Sequence, residues 1–303
     1  MKIDGRAIAE KMLADLAGQV AKLKEQGVAP TLAVILVGDN PASISYIKQK
    51  TKAAETIGAK LILSHQPSTI SDQQLKTLIE QYNNDSSVHG IIVQRPLPST
   101  LSDAGTSLIG VLPRKDVDGF VPGSPFEVPV ASAVFEILKN CKSQISNPND
   151  QQKSFDNWIQ TKSFVVIGRG ETAGKPIAEL LVKKGCNVTV MHSQTKNPDE
   201  KIKAADIVIS CVGKQNVVRR ENIKKNSILI SVGIWRDSEG KLHGDYDEDA
   251  IADVASFYTP TPGGVGPVNV ACLMKNLVLA ARNKSSIFPG KPKNLIDRPN
   301  FVT

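Results

Sequence analysis

Short, almost continuously apolar runs separated by stretches of helical periodicity constrain this chain more than any other feature. Thr31 to Val37, Gly90 to Gln94, Ser163 to Ile167, Asp206 to Ser210 and Ile228 to Gly233 are runs of this kind. A strand with one wet face alternates apolar and polar residues; strands this uniform belong to sheets covered on both sides, and intervening helices make them parallel. In the first half, Ile8, Met12, Leu16, Val20 and Leu23 predict a helix from Gly5 to about Gln26. The strand Thr31 to Val37, a helix Ala42 to Ile57, a strand Lys60 to Ser64, a helix Asp72 to Tyr82 and the strand Gly90 to Gln94 follow. The expected class is α/β: a catalytic domain with a parallel sheet and a Rossmann-like nucleotide domain, joined by crossing helices with a cleft between.

A chain of 303 residues suits two domains. From Asn140 to Asn157 the composition turns to Ser, Asn, Gln, Asp and Pro, which predicts a linker or surface excursion. Val270, Leu273, Met274, Leu277, Val278 and Ala281 then predict a last helix that crosses back onto the first domain. The expected division is 1–139 plus 268–303 for the catalytic domain and 140–267 for the nucleotide domain.

The net charge of +7 suits an anionic ligand, but the basic residues are scattered without interleaved aromatics, which gives no support to nucleic-acid binding. Only the tail from Arg282 to Arg298 is locally basic, and its Pro and Asn content reads as loop. No apolar run reaches the roughly 20 residues needed to span a bilayer, and no leader pattern precedes the first helix. Cys141, Cys186, Cys211 and Cys272 have no metal-ligand or disulfide-framework spacing, so free thiols in the cytoplasm are expected.

Parallel sheets bind ligands outside the carboxyl ends of their strands. That rule nominates the loop Gly38 to Pro41, Gln94 with the turn Arg95-Pro96-Leu97-Pro98, and the segment Lys115-Asp116-Val117-Asp118-Gly119. After the first loop, Tyr46 and Lys50 stand four residues apart on one helix face. An aromatic plate beside an amine can hold a flat heterocycle and move its protons, although spacing alone favours a packing ring and a solvated charge. Gln94 either caps sheet-edge backbone or points into the cleft, and Asp118-Gly119 is equally compatible with a plain turn.

In the second half, Ser163 to Ile167 runs into Gly168-Arg169-Gly170-Glu171-Thr172-Ala173-Gly174, and a helix from Lys175 to Lys184 follows. A strand, a glycine turn and a helix N-terminus form an anion cradle, because small residues admit phosphates and free amides bind them. The spacing is one residue longer than the usual dinucleotide fingerprint. The next strand, Asn187 to Met191, ends in His192-Ser193-Gln194-Thr195-Lys196, with no acid before Asp199. An NAD site usually has a carboxylate there. Ser193, Lys196 and Arg169 suit a 2′-phosphate instead, so NADP is favoured over NAD. His192 reads as a surface residue at a strand end. Thr259 to Pro267 holds three prolines and three glycines in nine residues, which predicts a loop that brings backbone amides near a ligand.

Together these motifs resemble one family over almost the whole chain, the bifunctional methylenetetrahydrofolate dehydrogenase/methenyltetrahydrofolate cyclohydrolases. The resemblance rests on Val37-Gly-Asp-Asn-Pro-Ala-Ser43 with Tyr46 and Lys50, His89-Gly-Ile-Ile-Val-Gln-Arg-Pro-Leu-Pro98 and Lys115-Asp-Val-Asp-Gly-Phe120. It also rests on Val166-Ile-Gly-Arg169 and Pro262-Gly-Gly-Val-Gly-Pro267. It implies oxidation of 5,10-methylenetetrahydrofolate to the methenyl form with NADP, hydrolysis of that product to 10-formyltetrahydrofolate, and a homodimer paired through the nucleotide domain. It further implies Lys50 as the cyclohydrolase residue, Tyr46 as the stacking ring, Gln94 as the partner of Lys50 and Asp118 as the anchor of the pterin edge. Gly263, Gly264 and Pro267 would lie beside folate and nicotinamide, and Gly168, Arg169, Gly170, Gly174, Ser193 and Ile234 around the cofactor.

The chemistry is consistent. Hydride loss from a carbon between two nitrogens leaves a delocalised cation and needs positioning more than a base. Hydrolysis needs proton transfer, and a lysine serves only if burial and nearby cationic charge lower its pKa. Several positions depart from the family pattern: Arg95 stands where an apolar residue is usual, Phe120 to Ala131 is shortened, and Ser231, Trp235 and Asn269 are atypical. Rival readings are a single retained activity, a shikimate- or amino-acid-type dehydrogenase, and a non-enzymatic folate or nucleotide binder.

Overall fold

In the computed structural model, which describes residues 1–99, 101, 110–145 and 147–285, the chain opens with helix α1 (Gly5–Glu25), capped by the Asp4 carboxylate. Strand β1 (Thr31–Val37), α2 (Pro41–Ile57), β2 (Lys60–Gln66), α3 (Asp72–Asn84) and β3 (Gly90–Val93) follow in alternation. The three strands form a parallel sheet in the order β2-β1-β3. Every residue of β1 is buried. Leu32, Val34 and Leu36 face α1 and α2, while Ala33, Ile35 and Val37 face Leu75 and Ile79 of α3. That two-sided packing is what a continuous apolar run encodes.

Helix α4 (Pro129–Ser143) leads out of this sheet, and two short helices, α5 (Pro148–Gln151) and α6 (Phe155–Gln160), precede the second one. The expected linker from Asn140 to Asn157 is therefore largely helical. Asn140 to Ser143 complete α4, and just beyond the stretch Trp158 and Ile159 are fully buried. Its polar composition misled because α5 buries nothing and α6 buries only Trp158 and Ile159.

The second sheet contains β4 (Ser163–Ile167), β5 (Asn187–Met191), β6 (Ile207–Ser210), β7 (Ile228–Ser231) and β10 (Phe257–Tyr258). All its pairings are parallel, in the order β10-β7-β6-β4-β5. Helices α7 (Gly174–Lys183), α8 (Pro198–Ala204) and α9 (Glu248–Ile251) and a hairpin of β8 (Trp235–Arg236) and β9 (Leu242–His243) lie between these strands in sequence. The strand order reverses between β4 and β6, and the glycine turn leaves β4 at that switch point, where open α/β sheets bind their ligands.

The last helix, α10 (Val265–Ser285), packs on α1, α4 and α2. Val270, Leu273, Met274 and Leu277 join the core built by Leu16, Val20, Leu32 and Val34. Both expected domain boundaries, 139/140 and 267/268, fall inside helices that cross between the two sheets. Gly266 and Pro267, expected in a loop, belong to the first turn of α10, where a proline is tolerated because its missing N–H has no helical partner. Of the basic tail, residues 282–285 close α10 and residues 286–298 lie outside the described residues. The four cysteines are free, with Cys141, Cys186 and Cys272 buried. No helix among the described residues is long and apolar enough to cross a membrane.

Candidate active site

The candidate centre begins with the end of β1. Gly38 takes a left-handed φ of +72°, and Asn40 caps α2 by accepting a hydrogen bond from the Ser43 N–H at 3.0 Å. Pro41 occupies the first turn. This start fixes the helical phase that brings Tyr46 and Lys50 onto one face. The Lys50 amine lies 5.1 Å from the centroid of the Tyr46 ring.

Lys50 is only 3% exposed, and its Nζ donates to Gln94 Oε1 at 2.9 Å. The Gln94 Nε2 donates to the Arg95 carbonyl at 2.8 Å, which fixes the oxygen end of the amide towards the lysine. Burial lowers the Lys50 pKa below its ordinary 10.5, and the Asp118 charge opposes the shift. The net result is an amine that gives up its proton more readily than a solvated one. An amide partner accepts a hydrogen bond from the neutral amine, whereas a carboxylate would hold the ammonium. Burial also pushes the Tyr46 hydroxyl pKa up, with Asp118 adding to it, so the ring stays neutral.

Asp118 sits at a turn shaped by its neighbours. The buried Asp116 carboxylate accepts the N–H groups of Gly119 at 3.1 Å and Val121 at 2.7 Å. Gly119 has φ +76°, and a Cβ there would lie 2.8 Å from the Phe126 carbonyl oxygen. Two asparagines of α10 reach this region. Asn276 donates to the carbonyls of Val117 at 2.9 Å and Glu127 at 3.0 Å, and Asn269 donates to the Tyr46 hydroxyl. Asn276 was not among the expected site residues, and Asp116 was nominated only as part of its segment. The signal for Asn276 was an amide at a core position of an apolar helix, between Leu273 and Leu277, where an unpaired amide would be costly.

Tyr46, Lys50, Gln94 and Asp118 line one cavity of about 1120 Å³, somewhat larger than the ~300–1,000 Å³ of an ordinary ligand pocket. Its far wall holds Glu171 and Thr172 from the glycine turn after β4, together with Ile234. The amine and the nucleotide cradle therefore open onto one space.

The cradle itself is tight. Gly168 has φ +103°, and a Cβ at Gly174 would stand 2.0 Å from the Gly168 carbonyl oxygen. Gly170 and Arg169 are exposed, and α7 starts at Gly174 without a side-chain cap, so its first amides are available to phosphate. Ile167 pairs with Met191 across β4 and β5, which puts Arg169 and Ser193 at the same level beyond two adjacent strand ends. Both are exposed. His192 shapes this turn through its N–H, which donates to Thr195 Oγ1 at 2.9 Å. These features fit a dinucleotide with an additional phosphate on its adenosine ribose.

Gly263, Gly264 and Pro267 are not wall residues of the cavity. Gly264 instead meets the start of α1: a Cβ on Gly5 would lie 1.9 Å from its carbonyl oxygen. Among the described residues no cluster of His, Cys, Asp or Glu is placed to hold a metal ion.

A buried lysine with an amide partner, facing a phosphate cradle across a shared cleft, defines a two-domain nucleotide-dependent dehydrogenase with a second, proton-transferring function. Residues 3–118 match the catalytic-domain model of the tetrahydrofolate dehydrogenase/cyclohydrolases, and residues 152–285 match their NAD(P)-binding domain. The bifunctional protein FolD of Lactococcus lactis is 42% identical over 93% of this chain and 97% of its own length. The crystal structure of FolD from Campylobacter jejuni superimposes with a TM-score of 0.86 at 36% identity, covering 94% of this chain and 99% of that one. The Trypanosoma brucei enzyme, solved with NADP cofactor and inhibitor, gives 0.84 at 32% identity, covering 94% and 98%. The chain belongs to the tetrahydrofolate dehydrogenase/cyclohydrolase family. The shikimate-type and non-enzymatic readings find no support in these matches.

Proposed function

We propose that this protein oxidises 5,10-methylenetetrahydrofolate to 5,10-methenyltetrahydrofolate with NADP and hydrolyses that product to 10-formyltetrahydrofolate in the same cleft. The observation that carries the reading is the buried Lys50 amine held by Gln94, in a cavity walled on its far side by the nucleotide cradle. NADP, when bound, supplies the hydride acceptor. Gly168, Gly170 and the first amides of α7 hold its pyrophosphate, and Arg169 and Ser193 meet the 2′-phosphate. Ile234 borders the same space.

Tyr46 stacks on the folate ring and Asp118 accepts hydrogen bonds from the pterin edge. The oxidation needs these to align the methylene carbon. In the hydrolysis, water adds to the methenyl carbon while neutral Lys50 takes one of its protons; as the bond from that carbon to N5 breaks, the new hydroxyl becomes the formyl carbonyl and its proton passes to N5, leaving the formyl group on N10. The cationic substrate itself lowers the lysine pKa further. Gly263 and Gly264 pack their carbonyls against Gly5 at the start of α1.

The catalytic unit is read as residues 1–139 with 268–303, and the nucleotide unit as 140–267. Assembly as a homodimer is supported by Val182 and Val190, exposed apolar residues on α7 and β5 at one edge of the second sheet. The free cysteines suit the cytoplasm.

A spectroscopic assay that follows methenyl formation and decay, with NADP and NAD in parallel, tests the reading. Lys50→Met should lower cyclohydrolase turnover by about 10²-fold or more while folate still binds. Hydrolysis at the parent rate would overturn the role given to Lys50.

A further inference from the structure

Arg95 is a cationic cavity residue whose charge the proposed chemistry does not use. It follows Gln94 directly and lines the cavity beside Pro96, Leu97 and Pro98, with Pro96 and Ser99 exposed at the mouth. Its guanidinium lies 5.1 Å from the Phe120 ring centroid. The backbone on either side is fixed, since the Arg95 carbonyl accepts from Gln94 Nε2 at 2.8 Å and Ser43 Oγ at 3.3 Å. Among the described residues no carboxylate pairs with the group, Asp118 of the same cavity included. A cation that lines a cavity without a carboxylate partner favours an anionic ligand there.

The ligand chemistry narrows the answer. The substrate of the oxidation comprises an uncharged heterocycle, an uncharged aryl amide and a glutamyl tail with two carboxylates. The heterocycle belongs with Tyr46, Lys50 and Asp118, so the group that reaches the mouth is the tail. A guanidinium gives a carboxylate a charge-assisted hydrogen bond. We propose that Arg95 is a specificity-determining residue that binds a glutamyl carboxylate of the substrate at the cavity mouth. This rests on the folate reading of the site.

The test compares two substrates on the full-length enzyme: 5,10-methylenetetrahydrofolate, and its analogue with both glutamyl carboxylates converted to primary carboxamides. Arg95→Leu should raise KM for the dicarboxylate about tenfold, with kcat, the KM for NADP and the KM for the diamide each changed less than about twofold. Arg95→Lys keeps the charge, so it should lose less on the dicarboxylate and be equally indifferent to the diamide. It also carries the test if the leucine variant does not fold. Equal KM changes for both substrates, no change for either, or a rise confined to NADP, whose phosphates are the other anions near the cleft, would overturn the assignment. A parent enzyme that turns over neither folate would refute the functional reading instead, which is a separate result.

Discussion

Replacing Gln94 by Glu changes one atom type at the point where Lys50 is held, and its consequence can be worked from the geometry. The amide oxygen stands 2.9 Å from Nζ. A unit charge at that distance interacts with an ammonium by about 5.7 kcal/mol at an effective dielectric constant near 20, equivalent to roughly four pK units. The new carboxylate is itself desolvated, which offsets part of this, leaving an expected rise of about two units or more. The sign follows directly: an opposite charge favours the ammonium, so a higher pH is needed to free the amine. Cyclohydrolase turnover at pH 7 should fall about 10²-fold and recover as pH rises, its alkaline-going limb displaced by the same two units. The oxidation, which does not draw on the amine, should change less than about tenfold. Methenyl decay and NADP reduction, followed separately from pH 6 to about 10, give both profiles. A cyclohydrolase profile that superimposes on that of the parent would refute the claim that neutral Lys50 does the work.

Two further outcomes follow. Lys50→Met should raise thermal stability, because the parent buries an amine whose folded pKa is lowered by burial. Between that lowered value and 10.5 the unfolded chain holds a proton the folded chain has released, so parent stability rises with pH across the interval. The methionine advantage in Tm, roughly 2–4 °C per kcal/mol, should therefore be largest at the acid end and shrink towards pH 10.5; calorimetry that finds it growing with pH would contradict the burial account. Arg169→Ala should raise KM for NADP by up to about tenfold, modest because the side chain is exposed, and leave KM for NAD within about twofold. An equal loss for both cofactors in steady-state assays would remove the 2′-phosphate from its role.

The central strands of both sheets were legible in the sequence because two-sided burial writes itself as uninterrupted apolar runs, and Ser163–Ile167 matches its expected limits; the edge strand Asn187–Met191 also does although most of it is exposed, and the two-residue strand Phe257–Tyr258 was not read. Helix α4 was not read, although Val130, Val134, Ile137 and Cys141 recur at helical spacing. Its proline-rich approach draws the eye to turns. The start of α10 was missed for the opposite reason: Gly266 and Pro267 are poor helix residues in general, but the first turn asks nothing of their backbone N–H groups. At the site, Tyr46, Lys50 and Gln94 lie at a strand end or on the following helix, where chain order alone nominates them, whereas Asp118 lies in a turn after the 3-10 turn Pro113–Lys115. Asn276 and Asp116 act through buried hydrogen bonds to backbone groups far away or around a turn, and such bonds leave no periodicity to find.

The return of α10 into the first core also sets a timetable for the growing chain. Leu16, Val20, Leu32 and Val34 share their packing with Val270, Leu273 and Leu277, which leave the ribosome only after the entire second sheet has been made. At ordinary elongation rates the interval is on the order of ten seconds. Through it, the nascent amino-terminal half carries an apolar groove shaped for a helix that does not yet exist. Translation that stops before Val265 would release a polypeptide with that groove uncovered, a species suited to chaperone capture and degradation. Release of a finished active site thus coincides with closure of the oldest part of the molecule.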